Sequence, residues 1–97
     1  MADFDIKYNG ANVDKLVIPS DASTSRQLMV VWNNGNGAGK LVQIETSCVL
    51  YLSSVNGNLD SQGHFSFIVG PGFGLKGNAT LTVGVGMKKK SLELQFI

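Results

Sequence analysis

The chain has 97 residues, 43% of them hydrophobic and only 15% charged, with 12 glycines and a formal net charge of +1. That length is one domain, 1–97, and the plentiful, periodic apolar residues exclude a disordered chain. The near-neutral charge gives no whole-molecule attraction to nucleic acid or an anionic membrane. No apolar run approaches the ~18 residues of a membrane span.

Residues 3–8 alternate, with Phe4, Ile6 and Tyr8 against Asp5 and Lys7, as in a half-buried strand. Residues 1–10 (MADFDIKYNG) are acidic and polar, without the basic and apolar regions of a secretory signal. Expected, therefore, is either a protein that stays inside the cell or virion, or a module of a longer chain whose export signal lies elsewhere. Asn9-Gly10 signals a turn. Residues 13–18 form a second short extended piece that stops at Pro19; proline cannot donate to a ladder, which places this piece at a sheet edge or a strand end. Residues 20–25 read as a polar loop.

Residues 27–32 (QLMVVW) are the most apolar short run and read as a central strand, with Leu28, Val30 and Trp32 on one face. A buried Trp32 needs a partner for its indole N–H. The Asn- and Gly-rich residues 33–40 are a loop. Val42 and Ile44 share one face of the next strand. Residues 48–52 read as a further strand, ended by serines and an Asn56-Gly57 turn, with Cys48 as a buried small hydrophobe. A single cysteine excludes an internal disulfide and a cysteine metal cage.

Three period-2 segments close the chain. Phe65, Phe67 and Val69 alternate in the first, Ala79, Leu81, Val83 and Val85 in the second, and Leu92, Leu94 and Phe96 in the third. The predicted core is Leu28, Val30, Trp32, Val42, Ile44, Phe65, Phe67, Leu81, Val83, Leu92 and Leu94. Strands at roughly 8–12-residue spacing with no helical periodicity predict an all-β sandwich of about seven antiparallel strands in two sheets.

The turn-and-strand pattern of residues 40–97 resembles the bacterial immunoglobulin-like domains of the invasin and intimin type. Asp60, Gly63, Phe65 and Phe67 match that family's D-x-x-G turn and following strand. Gly77, Val83, Val85 and Gly86 match its glycine-opened strand ending in V-x-V-G, and Leu92, Leu94 and Phe96 its last strand. Gly39 and Val42 alone echo the family's G-x-P-V pattern, whose proline is missing. The resemblance implies an immunoglobulin-like fold and a non-catalytic role in adhesion or spacing at a cell surface or on a phage particle.

Candidate chemistry is sparse. Residues 34–41 (NGNGAGKL) only brush against a phosphate loop, and no helix follows them. Residues 72–77 spell G-x-G-x-x-G but open a strand, which fails the dinucleotide context. Phe73 and Leu75 within that loop read either as a plug over the core or as an apolar tip for a partner. His64 stands alone on an outward face without a nucleophile or a metal-ligand set, and the carboxylates include no D-x-[DN]-x-[DN]-G calcium loop.

Lys88, Lys89 and Lys90 read as the tip of the last hairpin, solvated or facing an anionic surface. A sugar-binding alternative would use Trp32, Tyr8 and Tyr51 with the neighbouring asparagines. No enzymatic activity, metal or cofactor is expected. The expected partner is a protein or glycan surface, with tandem neighbouring domains or weak self-association, contacted through Phe73, Leu75, Asn34, Asn36, Lys88, Lys89 and Lys90.

Overall fold

A computed structural model describes residues 3–20, 24–48, 50–71 and 76–97. The expected Phe73 and Leu75 tip lies outside these residues, as do parts of the 20–25 loop and of the 48–52 segment.

The strands are β1 (Phe4–Tyr8), β2 (Ala11–Asn12), β3 (Lys15–Ile18), β4 (Arg26–Trp32), β5 (Leu41–Thr46), β6 (Tyr51–Leu52), β7 (Asn56–Asn58), β8 (His64–Gly70), β9 (Gly77–Val85) and β10 (Lys88–Phe96). They form two five-stranded sheets, ordered β2-β1-β4-β8-β6 and β3-β10-β9-β5-β7. The all-β sandwich is as expected, with ten strands in place of about seven. Short edge strands account for most of the difference. β2 and β6 close the first sheet and β3 and β7 the second, none longer than four residues. Short edges leave little unpaired backbone to template another chain.

Local chemistry sets the turns. Asn9 (φ 52°) and Gly10 (φ 82°) are both left-handed and join β1 to β2 with a two-residue loop, Tyr8 facing Ala11. Positive φ at both positions is the type I′ signature that Asn-Gly favours. At the other tight hairpin, Gly86 (φ 61°) and Met87 link Val85 to Lys88. Lys88, Lys89 and Lys90 are thus the first residues of β10, not the hairpin tip.

β3 pairs in parallel with β10, Lys15 facing Glu93 and Ile18 facing Phe96, whereas the other pairings among the described residues are antiparallel. The chain leaves the first sheet after β2 and joins the edge of the second, so β3 runs with β10. Pro19 ends that edge strand as expected. Asn56-Gly57, expected as a turn, belongs instead to β7, which pairs with β5 through Val42 and Gly57.

The core lies between the sheets. Phe4, Ile6, Leu28, Val30, Phe67 and Val69 from the first face Leu16, Ile18, Val42, Ile44, Leu81, Val83, Val85, Leu92, Leu94 and Phe96 from the second. Of the expected core, only Trp32 and Phe65 are partly buried, packed at its margin. Their positions explain this: Trp32 is the last residue of β4, and Phe65 comes near the start of β8. Cys48 is half-buried against the core.

Candidate functional site

One end of the sandwich gathers most of the residues that the sequence singles out. The start of β1, the 33–40 loop, the Asp60–Gly63 turn and the β9–β10 hairpin meet there, with Trp32 at the centre. Its indole N–H donates to the Asn34 carbonyl (2.9 Å), which satisfies the donor that burial would otherwise strand. Phe4 stacks on the ring at a centroid distance of 6.5 Å and 13°. The Lys40 ammonium lies 4.9 Å from the ring centroid, within cation–π range. Gly37 presses on the ring so closely that a Cβ there would lie 2.6 Å from Cγ and Cδ1. The indole is therefore occupied by its own chain.

The asparagines of the loop are also engaged. The Asn33 side-chain amide donates to the Asp5 carboxylate (2.9 Å), and that of Asn34 to the Asp3 carboxylate. The Asn36 Oδ1 accepts the backbone N–H of Ala38 at 3.0 Å, closing a local turn. From the second sheet, Lys88 reaches Asp3 and Lys90 reaches Asp5, each at 3.4 Å. Lys88 and Lys90 share the side of β10 that carries Leu92, Leu94 and Phe96, so beyond the core this side turns from apolar to basic and bridges to β1. The Asn33 amide, then the Lys90 charge, hold the Asp5 carboxyl below its ordinary value. Asp3, Phe4, Lys88, Lys89 and Lys90 line an open depression of about 360 Å³.

The Asp60–Gly63 turn is held by its own carboxylate. Asp60 Oδ1 accepts the backbone N–H groups of Gln62 (2.8 Å) and His64 (2.9 Å), while Gly63, at φ 79°, donates to the Asp60 carbonyl. These N–H groups, His64's first, lower the Asp60 pKa. His64 itself is outward and partly exposed. Among the described residues, no three His, Cys, Asp or Glu side chains converge as a metal set.

No protein-family model matches the chain, and no curated protein matches it by sequence. Solved structures do. A C-terminal 282-residue fragment of intimin, in complex with the intimin-binding domain of the translocated intimin receptor, superposes on 94% of this chain with a TM-score of 0.72 at 16% identity. The S-layer protein SbsC, in its domains 4 and 5, covers 95% of the chain at 0.62 and 12% identity. WR4, a member of the C. elegans MSP family, covers all of it (100%) at 0.74 and 7% identity. The chain has the immunoglobulin-like fold of intimin's domains. It spans 31% of the intimin fragment's length, 50% of the SbsC fragment and 100% of WR4.

Within this intimin-like sandwich, Asn34, Asn36, Lys88, Lys89 and Lys90 cluster at the Trp32 end, whereas Tyr51 does not. Trp32 pairs with Phe4, while Tyr51 pairs with Gly70 at the far end of β8. Two of the three aromatics of the sugar-binding alternative, Trp32 and Tyr51, therefore lie at opposite ends of one sheet. Sequence reading misses Asp3 and Asp5 as partners of the loop and the lysines, because cross-sheet pairing leaves no local pattern.

Proposed function

We propose that this domain is a non-catalytic module of a bacterial surface protein, spacing neighbouring domains and presenting the Trp32 end to a protein partner. One observation carries the reading. The chain enters and leaves at opposite ends of a body 39 Å long and about 22 Å across. Asp3 pairs with Lys88 at the start of β10, and Ile97 follows that strand's last residue. The nine residues of β10 lie between, a span of about 30 Å at ~3.4 Å per residue. A domain of this kind adds length when placed in series.

The likeness to intimin and S-layer domains supports a surface setting for the parent protein, and the receptor-bound intimin fragment supports a protein as partner. A glycan fits less well, because Trp32 is covered by Phe4, Gly37 and Lys40. The neighbours' adhesion and S-layer character supports a role without catalysis.

Two copies joined tail to head test the spacing role by small-angle X-ray scattering. The expected maximum dimension approaches twice that of one copy. A particle no longer than one copy, with the domains folded back side by side, would refute the spacer.

A further inference from the structure

We infer that Asn36 is a site of self-catalysed deamidation, a slow covalent change that loosens the Trp32 end. The chain has four Asn-Gly pairs: Asn9-Gly10, Asn34-Gly35, Asn36-Gly37 and Asn56-Gly57. Asparagine amides are thermolabile, and a following glycine, lacking Cβ, lets its nitrogen approach the side chain. The glycine nitrogen loses its proton to solvent base and bonds to the asparagine Cγ. The Cγ–Nδ2 bond then breaks, and that nitrogen takes up a proton and leaves as ammonia. Water opens the resulting imide at either carbonyl, giving aspartate or isoaspartate.

The fold holds three of the four pairs out of reaction. Gly57 faces Val42 in the ladder of β5 and β7, between Val55, which bonds to Ile44, and Leu59, which bonds to Lys40. The alternation of antiparallel bonds therefore commits the Gly57 N–H to Val42. Asn9, at φ 52°, sits in a type I′ turn that points its side chain away from the Gly10 nitrogen, and the β1–β2 pairing closes directly behind it. Asn34 is anchored twice, its side-chain amide on Asp3 and its carbonyl on the Trp32 indole N–H.

Asn36 differs on each count. Its Oδ1 accepts the Ala38 N–H at 3.0 Å, which curls the side chain back over the Gly37 peptide. The same N–H points at the oxygen on which negative charge develops as Cγ is attacked, the place of an oxyanion donor. Among the described residues, nothing holds the departing Asn36 Nδ2 or accepts the Gly37 N–H. Gly37 is packed on the indole, but Asn36 and Ala38 on either side of it are exposed, so solvent base reaches this stretch of backbone.

Either product adds a negative charge next to Gly37. Isoaspartate also lengthens the backbone by one methylene directly before the glycine that fits against the Trp32 ring. The loop and the indole then lose their fit. If the Trp32 end presents to a protein partner, as in the reading above, the modification sets a lifetime on that contact; the chemistry itself does not depend on that reading.

Incubation in mildly alkaline buffer, with peptide mapping by mass spectrometry, tests the proposal in the folded chain and in urea. Asn36 should convert in the folded chain at close to its rate in urea, while Asn9, Asn34 and Asn56 should be slowed about tenfold by folding. Trp32, the single tryptophan, should shift its emission to longer wavelength in step with the Asn36 conversion. Asn36→Gln, whose longer side chain closes a ring less readily, should remove both the fast mass gain and the emission shift. Slowing of Asn36 by folding as much as the other three, faster conversion at another pair, or conversion of Asn36 with unaltered Trp32 emission overturns the proposal. None of these readouts involves a partner, so their failure is distinguishable from failure of the surface-module reading.

Discussion

Gly37 shows how much one hydrogen atom matters at the Trp32 end. With a side chain there, the indole must move, which displaces Phe4, Lys40 and the Asn34 carbonyl at once. Gly37→Ala should cost about 1–3 kcal/mol, the usual range for overpacking, measured as a shift of the urea midpoint at unchanged slope. The carboxylates give a pH dependence with a definite sign. Asp5 and Asp60 have folded pKa values below the ordinary 3.8, so their contribution is present above that value and lost as pH falls through the folded one. Stability should decline below about pH 5. Asp60→Asn keeps an acceptor for the Gln62 and His64 N–H groups and should flatten that decline, whereas Asp60→Ala should also loosen the turn. Urea titrations at pH 7 and pH 3 separate the two effects, and an unchanged slope with pH in Asp60→Asn would remove the carboxylate from this account.

Among the elements, the strands with strict alternation were legible from the sequence, because burial between sheets imposes period 2. The D-x-x-G and Asn-Gly turns were legible for a local reason, since positive φ selects glycine or asparagine there. Asn56-Gly57 carries the same signal and is a strand. Gly57 serves a different need: the Phe65 ring from the opposite sheet lies over it, where a Cβ would come within 2.4 Å. Close approach and left-handed backbone both select glycine, and only the second makes a turn. Gly57→Val should therefore destabilise by roughly 1–3 kcal/mol despite valine's preference for strands, as thermal unfolding would show. The parallel run of β3 along β10 was not legible, because it depends on which sheet the chain joins after β2. Nor was the bridge between the sheets at Lys90 and Asp5. A double-mutant cycle on that pair should give a coupling of about 0.2–1 kcal/mol; zero coupling would reduce it to a surface contact.

For the whole molecule, core composition and class follow from sequence, but the clustering of loop, lysines and N-terminal aspartates at one end follows only from topology. Topology also decides how the domain carries load. Tension applied at the two ends pulls β3 back through β1 and β2 while drawing β10 forward by its C-terminus. Because these strands are parallel, they are loaded in shear, and their slanted ladder of hydrogen bonds must yield together. Pulling between Lys76 and Ile97, which flank the Gly77–Phe96 end of the β9–β10 pair, would instead unzip strands one bond at a time. Single-molecule force spectroscopy in the two geometries tests the spacer most directly. The expected result is an unfolding force several-fold higher between the chain ends than between Lys76 and Ile97; equal or lower force between the ends would contradict a load-bearing role.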